Sequence, residues 1–358
     1  VVGNLESRPS ESPPLSAAPL TEQFRSLDGL RAVSITLVLL DHLGIPWRGK
    51  RLDLGVGDYG HLGVVIFFVI SGFLITSLLM TERSRKGRVS LTRFYARRAL
   101  RIFPAAYCYI ACVFALGLMG YVTIPTRDFA AAITYTENFL PDPIWLFGHL
   151  WSLSVEEQFY LMWPAAFASL ALRRATGVAV AVMLLGPLAR AAAWILFRET
   201  PYGDVPMFPM VADSLAAGCL LAIWRNWLEG RKWYMRLLQP VPSLILVALV
   251  LILNRLTGYG MVEVFGRSVE NIAIAILIHR SIHHSWDAAG RFLNAGLPSF
   301  VGQLSYSLYL WQQLFLDRHS SSWHNLFPQN LVLTLLTALA SYYLLEKPVM
   351  ALRHRLRA

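Results

Sequence analysis

The 358-residue chain is 55% hydrophobic and only 15% charged, with a mean hydropathy of +0.47. Soluble domains carry about 25% charged residues, so this composition excludes an ordinary globular domain and points to a membrane protein. A net charge of +10 does not imply a nucleic-acid partner, because the basic residues fall in short clusters between apolar runs, not along one soluble face.

Residues 1–23 are rich in Pro, Ser and Ala, lack apolar periodicity and have no signal-peptide core, so a disordered leader is expected. With no initiator Met, the sequence is expected to be part of a longer product. About ten segments then follow that are long enough to span a bilayer at ~17–25 residues each: 30–46, 61–80, 100–120, 149–171, 177–197, 208–227, 240–256, 264–284, 298–317 and 329–347. The expected fold class is all-α, a polytopic integral membrane bundle of about ten transmembrane helices covering residues 24–350, with a basic tail at 351–358. Basic residues follow the second span (Arg83 to Arg98), the fourth (Arg173, Arg174), the sixth (Arg225 to Arg236) and the tenth (Arg353, Arg355, Arg357). These alternate loops lie on one side, which predicts cytoplasmic N and C termini; Arg48, Lys50 and Arg51 oppose the trend. Trp47, Trp145, Trp151, Trp224, Trp227 and Trp323 fall near predicted ends, where interfacial aromatics belong. No internal repeat is visible, which weighs against an inverted-repeat transporter.

The first span reads FRSLDGLRAVSITLVLLDHL, residues 24–43. Asp28 and Arg31, three apart, can pair or leave Arg31 to an anion. Arg31 and His42 are eleven residues apart, so they share a helix face about 16 Å apart along the axis. For a helix starting near Leu30, His42 is expected near the membrane midplane, where an ionisable group is costly and functional by default. Asp41 points about 100° away and is left out of the catalytic set.

In the second span, Gly63 and Ser71-Gly72 permit close helix packing. RFYARRALRIFP (93–104) then sets Arg98 and Arg101 three apart and Arg97 and Arg101 four apart. Such guanidinium forks suit a polyanion like the nucleotide end of coenzyme A; snorkelling onto anionic membrane lipid is the competing reading. Segment 121–148 is expected to be the largest outer one, rich enough in Pro and aromatics to fold back into the membrane. In HLWSLSVEEQFYLMWP (149–164), Ser154 and Glu157 fit a capping box. Glu156 shares a face with His149, Ser152 and Tyr160, a polar stripe that should face a cavity. Arg190 and Asp213 are expected to form a structural pair, with Glu270 and His279 as further intramembrane polar groups. Cys108, Cys112 and Cys219 sit in apolar runs, so neither a disulfide nor a metal site is expected. Near the end, Ser305, Tyr306, Tyr309 and Trp311 suit either sugar stacking or half-buried packing, and Glu346-Lys347-Pro348 is expected to close the last helix.

Taken together, FRSLDGLRA with His42, FFVISGFLI (67–75), RFYARRALRIFP, HLWSLSVEEQFYLMWP and SYSLYLW (305–311) resemble the membrane-bound acyltransferase-3 family of O-acyltransferases. The resemblance implies that Arg31 and His42 match the family's essential pair, that Arg98 and Arg101 match its acyl-donor arginines, and that Glu156 lies in its glutamate-bearing motif. It further implies cytoplasmic acyl-CoA, expected to be acetyl-CoA, as donor and a carbohydrate or other hydroxyl as acceptor, in a bacterial inner membrane and without a metal. His42 would act as general base or carry the acyl group transiently. Where members often have His after the YLW tripeptide this chain has Gln312, which puts an acceptor contact there in doubt but not the reaction centre. The sequence ends at Ala358 without the soluble esterase-like domain of some members, so direct transfer by this chain is expected. An intracellular small molecule or lipid-linked intermediate as acceptor, and a membrane transporter, are the alternatives. Nothing in the sequence indicates an oligomeric state.

Overall fold

A computed structural model describes residues 26–43, 46–47, 50–51, 58–203, 205–256, 260–317, 320 and 322–352, and only the backbone of 46–47, 50–51 and 352. The expected leader, Arg48, the side chains of Trp47, Lys50 and Arg51, and Arg353, Arg355 and Arg357 of the tail lie outside the described residues.

In each segment read as a span most of the described residues are helical. In chain order the long elements are α1 (Ser26–Leu43), α2 (Tyr59–Lys86), α3 (Leu91–Leu118), then short α4 (Thr126–Thr134) and α5 (Trp145–Gly148), followed by α6 (Leu150–Ser169), α7 (Leu172–Phe197) and α8 (Phe208–Glu229). After these come α9 (Lys232–Leu237), α10 (Pro240–Arg255), α11 (Arg267–His283), α12 (Ala288–Leu293), α13 (Gly296–Trp311), α14 (Gln329–Ser341) and α15 (Lys347–Leu352). A two-residue antiparallel ribbon, Pro46–Trp47 against Lys50–Arg51, interrupts the helices. Among the described residues four helices, α2, α3, α7 and α8, are long and apolar enough to cross a membrane. α1 and α6 have sufficient length, but Asp28, Arg31 and Asp41 in one and Glu156, Glu157 and Gln158 in the other dilute their apolar runs.

Local chemistry sets the boundaries. Asp58 caps α2 by accepting from the His61 backbone N–H at 2.7 Å, and Gly87, at φ 69°, ends it with its N–H on the Arg83 carbonyl. The last helix does not close at Glu346-Lys347-Pro348. A π-turn over Tyr342–Glu346 re-phases the backbone, Glu346 turns into the core, and Pro348 is accommodated in the first turn of α15.

Small residues bring the central helices into backbone contact. A Cβ on Gly72 would stand 2.0 Å from the Leu215 carbonyl oxygen, and one on Gly218 would stand 2.1 Å from that of Val69, so only glycine allows α2 and α8 to cross this closely. Likewise a Cβ on Gly302 would stand 1.8 Å from the Asp28 carbonyl, which seats α13 on the turn of α1 that carries Arg31. Segment 121–148 packs as an ordered unit: Asp128 accepts from the Ile144 N–H at 2.7 Å, and the amides of Asn138 and Gln158 pair at 3.2 and 2.8 Å. That packing carries Trp145 back to the end of α1.

Candidate active site

Arg31 of α1, Ser71 of α2, Arg98 and Arg101 of α3, Glu156 and Tyr160 of α6 and Tyr309 of α13 line one cavity of about 100 Å³. Four of the residues singled out from sequence thus converge. Arg31 Nη1 donates to Asp28 Oδ1 at 3.0 Å and still faces the cavity, so ion pairing and cavity lining coexist. Arg98 lies 4.6 Å over the Tyr160 ring, a cation–π contact. Among the described residues neither Arg98 nor Arg101 has a carboxylate within 4.0 Å, whereas Arg97 faces Glu82 at 3.8 Å. The cluster therefore divides: Arg97 is matched by the protein, while Arg98 and Arg101 present charge to the cavity.

The polar stripe of α6 faces this cavity, as expected. Tyr160 Oη donates to Ser71 Oγ at 3.3 Å, and Ser71 Oγ donates to Glu156 Oε1 at 2.5 Å. One turn further out, Ser152 Oγ and Tyr309 Oη are 2.6 Å apart, and Tyr309 donates to the His149 carbonyl at 2.9 Å. The Ser154–Glu157 capping box does not form. His149 already has helical dihedrals, so α6 starts at Leu150 and Ser154 is an interior residue donating to the Leu150 carbonyl at 2.9 Å. Glu157 is left half-buried, with Oε1 unpartnered among the described residues. Tyr306 donates to the Ile102 carbonyl at 2.7 Å while lining the cavity, and Trp311 is 8% exposed and packs against Tyr109.

His42 does not line the cavity. α1 begins at Ser26, four residues before the expected start, and His42 falls in its last turn rather than at mid-helix; Gly44 and Pro46, both helix breakers, follow. There its Nδ1 meets Gln312 Oε1 at 2.7 Å, and the ring stands edge-on to Trp145 with centroids 5.4 Å apart. The amide chain orients itself. Gln313 Nε2 donates to the Trp145 carbonyl at 2.6 Å, which turns Gln313 Oε1 toward Gln312 Nε2 at 3.2 Å. Gln312 then has only its oxygen for His42, so Nδ1 carries the proton and Nε2 keeps the lone pair. Asp41 Oδ2 stands 3.9 Å from Nε2, too far for a hydrogen bond but placing negative charge beside the nitrogen that would take up a proton. Helical spacing missed Gln312, Gln313 and Trp145. The only sequence signal was the position of Gln312 directly after YLW, and the structure places that residue at the histidine itself.

Among the described residues, no group of three or more His, Cys, Asp or Glu side chains is placed to hold a metal ion. Arg190 and Asp213 pair bidentately at 3.1 and 2.9 Å, as expected, and His279 is held by Tyr234 at 2.8 Å and Glu229 at 3.0 Å.

Residues 24–346 match the family described as an acyltransferase domain, the acyltransferase-3 family. The chain belongs to it. Similar proteins include the O-acetyltransferase OatA of Staphylococcus aureus strains NCTC 8325 / PS 47, COL and MRSA252, each 28% identical over 354 residues, covering 90% of this chain and 56% of the relative. The chain therefore spans about half the length of these curated relatives. No solved structure matches it. In this acyltransferase the conserved chemistry of acyl transfer, a donor and an acceptor meeting at a base or nucleophile, has two candidate locations on one helix: the cation-lined cavity around Arg31 and the oriented imidazole of His42.

Proposed function

We propose that this acyltransferase is a membrane O-acyltransferase that moves an acyl group, acetyl as in the names of its relatives, from cytoplasmic acyl-CoA to a hydroxyl of a cell-surface or exported carbohydrate. Arg98 and Arg101, with Arg31, hold donor phosphates on the inner side, and Glu156 with Ser71 and Tyr160 shapes the passage for the thioester arm. A cavity of about 100 Å³ is well below the ~300–1,000 Å³ of sites that enclose a drug-sized ligand, so it suits the narrow end of the donor and not its nucleotide.

At the other end of α1, His42 Nε2 removes the proton of the acceptor hydroxyl as its oxygen attacks the thioester carbonyl; the C–O bond forms, the C–S bond breaks, and CoA leaves with the proton. In the second route Nε2 attacks the thioester carbonyl, the N–C bond forms as the C–S bond breaks and CoA leaves as the thiolate; the acceptor oxygen then attacks the acyl-imidazole, the N–C bond breaks, and the hydroxyl proton ends on the CoA thiolate. Around this site residues 24–350 form a bundle of about ten crossings in a bacterial inner membrane, with both termini cytoplasmic. The observation that carries the reading is that α1 runs from Arg31, in a cavity shared with Arg98 and Arg101 of α3, to the oriented imidazole of His42 in its last turn.

Purified protein given acetyl-CoA and a hydroxyl acceptor should release free CoA in an acceptor-dependent manner. His42→Ala protein that still inserts correctly should lose about 10²–10⁴-fold of this rate. Full activity in that variant would overturn both routes. Trapping an acyl-histidine selects the covalent route, and ternary-complex kinetics selects direct attack.

A further inference from the structure

A second cavity, of about 670 Å³, opens between the C-terminal half of α7, the N-terminal ends of α2 and α8, and the turn from α10 into α11. Its volume falls within the ~300–1,000 Å³ typical of sites for organic ligands. Its lining charges are largely matched: Arg190 is clamped by Asp213, Ser268 Oγ donates to Asp213 Oδ2 at 2.5 Å, and Arg267 Nε reaches Glu263 Oε1 at 3.3 Å. Arg267 Nη1 has no hydrogen-bond partner among the described residues and is left to a ligand. Trp194 adds an indole with the Arg198 guanidinium 4.9 Å over one face.

The cavity adjoins the reaction centre. His61 on its floor stacks against Trp151 at 6.4 Å, Trp151 meets Phe68 edge-on at 6.0 Å, and Phe68 lines both cavities. Next to His61, Gly60 lies so close to Asp41 that a Cβ there would stand 3.0 Å from Asp41 Oδ2, one residue from His42.

We propose that this cavity binds the acceptor, a polyhydroxylated carbohydrate, and presents one of its hydroxyls toward His42. A cationic ligand would meet a lining with four arginines against three carboxylates, and a lipid tail would leave this polar lining unsatisfied. Sugar hydroxyls bond to carboxylate and guanidinium edges without displacing either partner, and an indole face covers the apolar side of a pyranose ring. The assignment rests on the proposed O-acyl transfer with its outward-facing acceptor side.

The test is binding of two probes, maltotriose and chitotriose, to full-length His42→Ala protein in detergent, which holds the sugar without turnover. At least one sugar should bind, and Trp194→Ala and Arg255→Gln, made separately at the exposed rim, should each weaken it about tenfold while leaving the acetyl-CoA Kd unchanged. The unchanged Kd reports that each variant is folded. Failure of both sugars to bind, or binding within twofold of the parent in both rim variants, overturns the proposal. Rim-dependent binding without acceptor-dependent CoA release by the wild-type protein upholds the sugar site and sinks the proposed reaction instead.

Discussion

Around the Arg31 cavity Arg98 and Arg101 have no carboxylate within 4.0 Å among the described residues, whereas at the larger cavity Arg190 is clamped by Asp213 and Arg267 sits 3.3 Å from Glu263. Arg190 is buried, and Arg98 and Arg101 are half-buried; withdrawing a guanidinium from water costs several kcal/mol per ion unless a counter-charge is supplied. At the larger cavity the fold supplies it, and Arg190 ties α7 to α8. At the Arg31 cavity no carboxylate of the described residues pairs with Arg98 or Arg101, which is why the proposed function puts an anionic donor there.

The contrast is sharpest if one member of a matched pair is removed. Asp213→Ala strands a buried Arg190 and should destabilise the protein by about 3–5 kcal/mol, read as a large fall in Tm in detergent. Arg98→Ala strands no carboxylate, so its Tm should change little. A comparable fall in Tm for both would erase the distinction between the sites. Next in size, Arg98→Ala and Arg101→Ala should each raise the KM for acyl-CoA by about 10–100-fold, as expected for loss of a charge-assisted hydrogen bond worth ~1.5–3 kcal/mol. Lys at either position should recover only part of this, because it keeps the charge and loses the fork.

At the outer end of α1, Gln312→Ala removes the acceptor of the His42 Nδ1 proton. An unsatisfied buried donor costs ~1–3 kcal/mol, so kcat should fall about tenfold with the acyl-CoA KM unchanged. An unaltered kcat and pH profile would show that the tautomer is set elsewhere.

A pH-dependent effect is expected in segment 121–148. Glu137 is 1% exposed, neither of its carboxylate oxygens has a hydrogen-bond partner among the described residues, and burial followed by the nearby Asp128 pushes its pKa up to about 8, with Arg127 opposing. The folded protein therefore holds a proton that the unfolded chain, titrating near 4.5, has released, so stability falls as pH rises between these values. Glu137→Gln should flatten the decline in Tm from pH ~5 to ~8. An equally steep decline in the variant would remove Glu137 as its cause.

Arg31, Arg98, Arg101 and Glu156 were legible because each lies on a helix, where three- and four-residue spacing states which side chains share a face. The paired Arg190 and Asp213 were legible for a related reason, since two opposite charges in apolar runs are costly apart. His42 was legible as a residue but not in its place on the helix. α1 ends at Leu43, short of the expected end of the span at residue 46, so His42 falls in its last turn. The capping box failed through the same weakness at helix ends, because the chain leaving α5 was already helical at His149.

Apolar run length, the sign of each loop and the face of each polar residue are local properties, written wherever hydrocarbon makes an exposed peptide group or charge expensive. Which arginine receives a counter-ion and which nitrogen of His42 carries the proton depend on partners far along the chain. Gln312 lies 270 residues from His42, and Trp145 reaches it only through the folding of segment 121–148. Those assignments had to wait for α1 to pack against α2 and α13, because spacing along one helix says nothing about what another helix brings opposite it.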